Sequence, residues 1–131
     1  MVRFDGVDFM DIDSLFTDEE LQIRDTIREW VSDRLIPIIE KHNREGTFPK
    51  HLIPELGELG VFGANIDGYG CPGLNNVAYG LLNQELERGD SGLRSFVSVP
   101  GGLCMYPILA YGTAEQRNKW LPPVIRGDLR A

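Results

Sequence analysis

Residues 75–106 read NNVAYGLLNQELERGDSGLRSFVSVPGGLCMY, and this stretch decides the fold. It reads as two helices meeting at a polar corner. Asn75 or Asn76 caps the first helix by accepting a backbone N–H. Val77, Leu81, Leu82 and Leu86 then recur at three- and four-residue spacing, which gives one apolar face. Gly80 either admits a close helix neighbour or weakens the helix by about 1 kcal/mol. Gly89 ends it, and Asp90 or Ser91 caps the next helix, with Leu93, Phe96, Val97, Leu103 and Ile108 facing inward. Pro100-Gly101-Gly102 falls inside that second pattern. A proline there costs about 3 kcal/mol in a straight helix, so a kink or break is expected. Between the helices, residues 87–95 (ERGDSGLRS) set a cluster of charges between two apolar walls.

Upstream, Thr17-Asp18-Glu19-Glu20 is a capping box, and its acidic residues suit the positive end of a helix dipole. Ile23, Ile27, Trp30, Val31, Leu35 and Ile38 form the apolar stripe of that helix. Arg24, Asp25, Arg28, Glu29, Ser32 and Asp33 occupy its opposite face. Pro37 predicts a kink rather than an end, because Ile38, Ile39 and His42 continue the pattern. Leu52, Ile53, Leu56 and Leu59 mark a short second helix, with Pro49 at its first position and Gly60 as a left-handed cap. Residues 61–74 (VFGANIDGYGCPGL) read as loop. The glycine spacing is not GxGxxG and no βαβ pattern surrounds it.

Downstream, Thr113-Ala114-Glu115-Gln116 is a second capping box, opening a helix with Trp120, Leu121, Val124 and Ile125 apolar. Pro122-Pro123 is expected to disturb it. Residues 1–16 lack a clear period and read as an extended arm, with Phe4, Phe9, Leu15 and Phe16 available to pack on a neighbouring surface. No segment shows strand alternation. The expected fold is all-α, an up-and-down bundle of about five helices over residues 17–131.

Composition narrows the functional classes. A chain of 131 residues buries roughly two-thirds of its unfolded surface, enough for one modest core. Net charge is −7, from 20 acidic and 13 basic residues, and the basic residues are scattered. Scattered cations track neither a phosphate backbone nor an anionic membrane, so nucleic acid and membrane surfaces are disfavoured partners. Cys71 and Cys104 are isolated and read as free thiols of a reducing compartment. The N-terminal residues have aspartates where a signal peptide needs an apolar core, and no stretch reaches the ~20 apolar residues of a membrane span. A cytosol-like soluble chain is expected, or the mature form of a processed one.

Candidate chemistry is sparse. His42 and His51 lie on different elements, and their spacing is not a metal pattern. Glu85 and Glu87 point to different helix faces. Arg94 is the exception, because it lies in the first turn of a helix, where the dipole disfavours a cation. Either Glu87 or Asp90 pairs with it, or it is presented to an anionic ligand, bidentate if that ligand is a carboxylate. Ser91 and Ser95 would add hydroxyl donors. On residue chemistry the two readings stand level.

The segments GELGVFGANIDGYGCPGLNNVAYGLLNQELERGDSGLRSFVSV and PILAYGTAEQRNKWLPPVIRGDL closely resemble the N-terminal helical domain of acyl-CoA dehydrogenases. Within that family the chain is most similar to the glutaryl-CoA dehydrogenases. The resemblance covers about residues 15–129, and the combination of motifs is far more specific than any one of them. It implies an FAD enzyme that removes two hydrogens across the α–β bond of an acyl-CoA, a glutamate taking the α-proton and the flavin the β-hydride. For glutaryl-CoA it implies a following decarboxylation to crotonyl-CoA. Arg94, Ser95 and Glu87 are then expected to meet the distal carboxylate of the substrate; a dehydrogenase for another short-chain or dicarboxylic acyl-CoA and a stand-alone helical interaction module are the alternative readings.

Two departures from the family pattern are Pro100-Gly101-Gly102, where a polar segment is common, and Leu93, where tyrosine is frequent. The resemblance also implies a middle β-domain and a C-terminal helical domain beyond these residues, which would carry most of the FAD site and the catalytic glutamate. On that expectation the chain alone is inactive, holds no FAD, and self-associates through apolar surfaces made to face those domains. Electron-transfer flavoprotein is the expected redox partner and a homotetramer the expected assembly. The expected location is the cytoplasm of a bacterium or the matrix of a mitochondrion.

Overall fold

The structure, a computed structural model, describes residues 9–129. Seven α-helical stretches follow in order: α1 (Asp18–Trp30), α2 (Ile36–Glu45), α3 (Ile53–Glu58), α4 (Asn76–Gly89), α5 (Ser91–Val99), α6 (Tyr106–Tyr111) and α7 (Ala114–Ile125). A π-helical turn, Val31–Leu35, joins α1 to α2 without a break, and a second, Pro100–Met105, joins α5 to α6. Five rods result, as the sequence predicts. Both π turns run directly into a helical stretch carrying a proline in its first turn, Pro37 or Pro107. A proline has no N–H, and its ring strikes the carbonyl four residues back. Widening the preceding turn to an i→i+5 pattern gives the ring room.

Of the kink or break expected at Pro100, the second π turn is the milder outcome. The helix runs unbroken over 21 residues from Ser91 to Tyr111, and by length and composition it is long and apolar enough to cross a membrane. Breaking the pattern at Pro100 hid that length from the sequence. Leu93, Val97, Pro100, Gly101 and Met105 are buried in the bundle, while Val99, Leu103, Tyr106 and Tyr111 face outward.

Caps fix where the rods begin. Both capping boxes are made: Glu20 N–H donates to Thr17 Oγ1 at 3.3 Å, and Gln116 N–H to Thr113 Oγ1 at 3.2 Å. Asn75 caps α4 at 2.8 Å and Asp90 caps α5 at 2.7 Å. Asn75 Nδ2 also donates to Glu20 Oε1 at 2.9 Å, tying the starts of α1 and α4 together. Further along, Arg28 reaches Glu85, and Gly89 lies against Val31 and Leu35. The contacts climb both helices together, so α1 and α4 run side by side in the same direction.

Residues 61–74 are more than a connector. Val61, Phe62, Ala64 and Ile66 are buried in the common core with Leu56, Leu86, Leu93 and Met105. Gly63 makes that passage possible: its φ is +67°, and a Cβ there would lie 2.8 Å from Met105 Cε. Gly101, buried in the second π turn, packs against Gly63. Two-residue strands β1 (Asp67–Gly68) and β2 (Cys71–Pro72) pair antiparallel at the tip, a hairpin too short to show alternation in sequence.

Several placements differ from expectation. Val77 is 45% exposed and Ala78 takes its inward position. Leu103, at 73%, and Trp120, at 42%, face outward on the α5–α6 rod and α7. Arg24 is buried rather than on the solvent face, because Asp13 and Asp25 both pair with it. Pro49 heads a 3₁₀ turn, Lys50–Leu52, and α3 starts after it with Pro54 in its first turn. Pro122 and Pro123 do not break α7, whose last turns are held by burial of Leu121, Val124 and Ile125. In the expected arm, Ile12–Leu15 forms a 3₁₀ turn whose start is set by Asp11 at φ 51°. Phe9 and Leu15 are exposed, Phe16 is half-buried, and Phe4 lies outside the described residues.

Gly89, not Gly80, is the glycine of close approach. A Cβ on Gly89 would sit 2.6 Å from Leu35 Cδ2 and 2.7 Å from Val31 Cγ1, whereas nothing lies within 4 Å of one on Gly80. Gly89→Ala is therefore expected to destabilise the domain by about 1–3 kcal/mol through overpacking. Gly80→Ala is expected to stabilise it by about 0.5–1 kcal/mol through helix propensity. Urea unfolding of the two variants checks both signs.

Candidate functional site

The polar corner lies where α4 ends and α5 begins. Asp90 is committed to structure: Oδ1 caps Leu93 N–H, and Oδ2 accepts from Asn43 Nδ2 at 3.3 Å. Arg94 therefore turns to Glu87, donating from Nε to Oε2 at 2.6 Å, and from Nη1 to Ser98 Oγ at 3.2 Å. That geometry answers the choice between Glu87 and Asp90. The Arg94 hydrogen bond, helped by Ser91, holds the Glu87 carboxyl below the usual carboxylate range. Both side chains stay partly open, Arg94 at 34% and Glu87 at 47% exposure.

A guanidinium has five N–H donors in a planar fork. Nε and Nη1 are engaged, and Nη2 has no partner among the described residues. Ser95, the next residue in the chain and half-buried, likewise has a hydroxyl with no partner among the described residues. The corner thus holds an arginine fixed on one edge and open on another. Chemically, an arginine so held can orient an anion, and it has no proton to take up or release near neutral pH.

One charged group was missed in the sequence. Glu85 is buried on α4, where Arg28 Nη2 and Arg88 Nε each donate to it at 2.8 Å. Arg88 Nη2 also reaches Arg28 O at 3.0 Å and Ser32 Oγ at 2.9 Å. The signal was present: Glu85 falls between Leu82 and Leu86 on the apolar face, where an acid needs a cation. Burial pushes its carboxyl up, but the hydrogen bonds from Arg28 and Arg88 outweigh that and leave it below the ordinary value. Glu85 clamps α4 to α1 one turn before the corner, and so positions Glu87.

Other candidates carry less chemistry. Burial pushes the Cys71 thiol up, away from a reactive thiolate, and Sγ donates to Phe62 O. His42 and His51, read as separate, stand together with ring centroids 6.1 Å apart. Two grooves open on the surface, of about 210 and 420 Å³, lined largely by apolar side chains.

The five-rod fold and its capped corner define a helical domain of the acyl-CoA dehydrogenase type. Residues 17–128 match the acyl-CoA dehydrogenase N-terminal domain, and the chain belongs to that family. It is 33% identical over 107 residues to the short-chain specific acyl-CoA dehydrogenase of Bos taurus mitochondria, covering 81% of this chain and 26% of that protein. It is 32% identical to a 3-(aryl)acrylate reductase of Clostridium sporogenes, covering 86% of this chain and 30% of that one. Among solved structures, a glutaryl-CoA dehydrogenase of Mycobacterium smegmatis in complex with FADH2 superposes with a TM-score of 0.88 at 48% identity, covering 92% of this chain and 31% of that one. The butyryl-CoA dehydrogenase of Megasphaera elsdenii gives 0.78 at 29%, covering 95% and 32%. The chain thus spans under a third of the length of each of these relatives.

Glu85→Gln removes one acceptor charge from the clamp and is expected to cost about 1–3 kcal/mol near neutral pH, since both arginines are part-exposed and turn to water. A carboxyl held low in the folded state stabilises above its unfolded pKa of about 4.3, and that contribution is lost as pH falls through the folded value. The stability gap between wild type and Glu85→Gln is therefore expected to close in acid, which denaturant midpoints from pH 7 down to pH 3 would measure.

Proposed function

We propose that this chain is the N-terminal helical domain of an FAD-dependent acyl-CoA dehydrogenase acting on an acyl-CoA that ends in a carboxylate, with glutaryl-CoA the substrate and crotonyl-CoA the product. The observation that carries the reading is Arg94: one edge is pinned by Glu87 and Ser98, and Nη2 has no partner among the described residues. The resemblance to a glutaryl-CoA dehydrogenase at 48% identity supports it.

In this reading Arg94 binds the distal carboxylate, Ser95 donates a hydroxyl to it, and Glu87 holds the guanidinium in register. The three residues orient the acyl chain and take no part in proton transfer. Bound FAD supplies hydride acceptance. The flavin site and the α-proton base belong to a middle β-domain and a C-terminal helical domain of the whole protein, whose proposed partners are electron-transfer flavoprotein and further copies of itself. Val99, Leu103, Tyr106 and Tyr111, exposed along the α5–α6 rod, suit a surface made to be covered in that assembly.

A second reading is favoured by one observation: Glu87 already neutralises Arg94. With the pair purely structural, the substrate would be a short acyl-CoA without a distal charge, as the name of the bovine relative suggests for that protein.

Arg94→Ala in the full-length enzyme separates the two. Losing the partner of a desolvated carboxylate costs about 3–5 kcal/mol, so kcat/KM for glutaryl-CoA is expected to fall by about 10²- to 10⁴-fold. Turnover of butyryl-CoA is expected to change by only a few fold. Equal losses on both substrates, or none on either, would sink the carboxylate reading.

A further inference from the structure

We propose that Ser98 is a positioning residue that sets the preference of this site for an acyl-CoA ending in a carboxylate. The inference rests on the reading of Arg94 and Ser95 given under the proposed function. The Ser98 hydroxyl touches both of those residues. Arg94 Nη1 donates to Ser98 Oγ at 3.2 Å, and Ser98 Oγ donates to Ser95 O at 3.4 Å. The spacing makes this a local device. Ser98 follows Arg94 by four positions and Ser95 by three on α5, so it stands one turn along from both.

A hydroxyl carries one proton and two lone pairs. Here the proton goes to Ser95 O, so Ser98 offers Arg94 a lone pair and keeps nothing to donate to an incoming anion. Ser98 therefore acts through the arginine and not on the substrate. What it fixes is the plane of the guanidinium. The bond from Arg94 Nε to Glu87 Oε2, at 2.6 Å, leaves that plane free to turn about the hydrogen-bond axis. A contact at a second nitrogen stops the turn, and it comes from α5 where the first comes from α4. Arg94 is 34% exposed, so burial alone leaves this long side chain rotamer freedom. With both contacts made, Nη2 is held in one place, which recognition of a planar carboxylate requires. A substrate without a distal charge gains nothing from it.

Ser98→Ala and Ser98→Thr in the full-length enzyme test this, with glutaryl-CoA and butyryl-CoA as substrates. Alanine suits a helix better than serine, so the first variant is expected to fold, and a thermal melt checks it. Its glutaryl-CoA to butyryl-CoA ratio of kcat/KM is expected to fall by about three- to tenfold, the worth of one hydrogen bond. That loss is expected in KM for glutaryl-CoA and not in kcat. Threonine keeps a hydroxyl that can reach the same carbonyl, and is expected to restore the ratio to within about twofold. In an Arg94→Ala background, Ser98→Ala is expected to change nothing further, because its effect passes through that side chain. An unchanged ratio in Ser98→Ala, no recovery in Ser98→Thr, or an equal loss in the Arg94→Ala background would overturn the role and leave the carboxylate reading standing. If Arg94→Ala itself leaves the ratio unchanged, the carboxylate reading falls and this role falls with it.

Discussion

The contact of α4 with the first rod sets the position of everything else. Gly89 presses its backbone onto Val31 and Leu35, at a distance that leaves no room for a methyl group. One turn earlier Glu85, out of water, accepts from Arg28 across the same seam. The two constraints act in different ways. Close packing fixes separation, since dispersion falls off steeply with a gap, and the ion pair fixes register along the axes. A slip of α4 by one residue would carry Glu85 away from Arg28 and leave a buried charge uncompensated. The Asn75 bond to Glu20 holds the far end in the same register.

That seam explains the π turn in the first rod. Val31 and Leu35 are its ends and both are fully buried, so the widened turn is the surface on which Gly89 rests. Pro37 demands a change in hydrogen bonding just upstream. The same adjustment recurs in the second rod, where Gly101 in the widened turn backs onto Gly63. In both places a proline, a π turn and a glycine contact occur together. Straight rods would have left the buried loop at residues 61–66 without its path.

What was legible in the sequence was the local part. Thr17, Asn75, Asp90 and Thr113 announce helix starts because a cap acts within three residues of itself. The stripe from Ile27 to Leu35 was readable for the same reason. Non-local features were not. Val61, Phe62 and Ile66 look like loop because glycines surround them, and only the assembled core shows why apolar side chains stand there. Pro100 looks like a break because nothing in the local pattern reveals a turn that absorbs Pro107. Gly80 and Gly89 are indistinguishable until a neighbour is placed beside each. Glu85 was dismissed by comparing its face with that of Glu87, when the telling comparison was with Leu82 and Leu86 on its own face.

Arg94 posed the one electrostatic puzzle of the sequence, a cation in the first turn of a helix. The dipole of the long α5–α6 rod makes that end favourable for anions. Asp90 caps that end, and Glu87 restores the balance for Arg94 itself. In the proposed reading a second carboxylate arrives, and one guanidinium then faces two negative charges. Arginine serves both because its fork offers separate edges, whereas a lysine ammonium would present a single point charge. The N-terminal dipole supplies the rest of the compensation, so the placement that disfavours Arg94 alone favours the assembly of Arg94 with two carboxylates. A structural ion pair would need neither the open Nη2 edge nor the unpartnered Ser95 hydroxyl. Those two features are what the proposed reading puts to use.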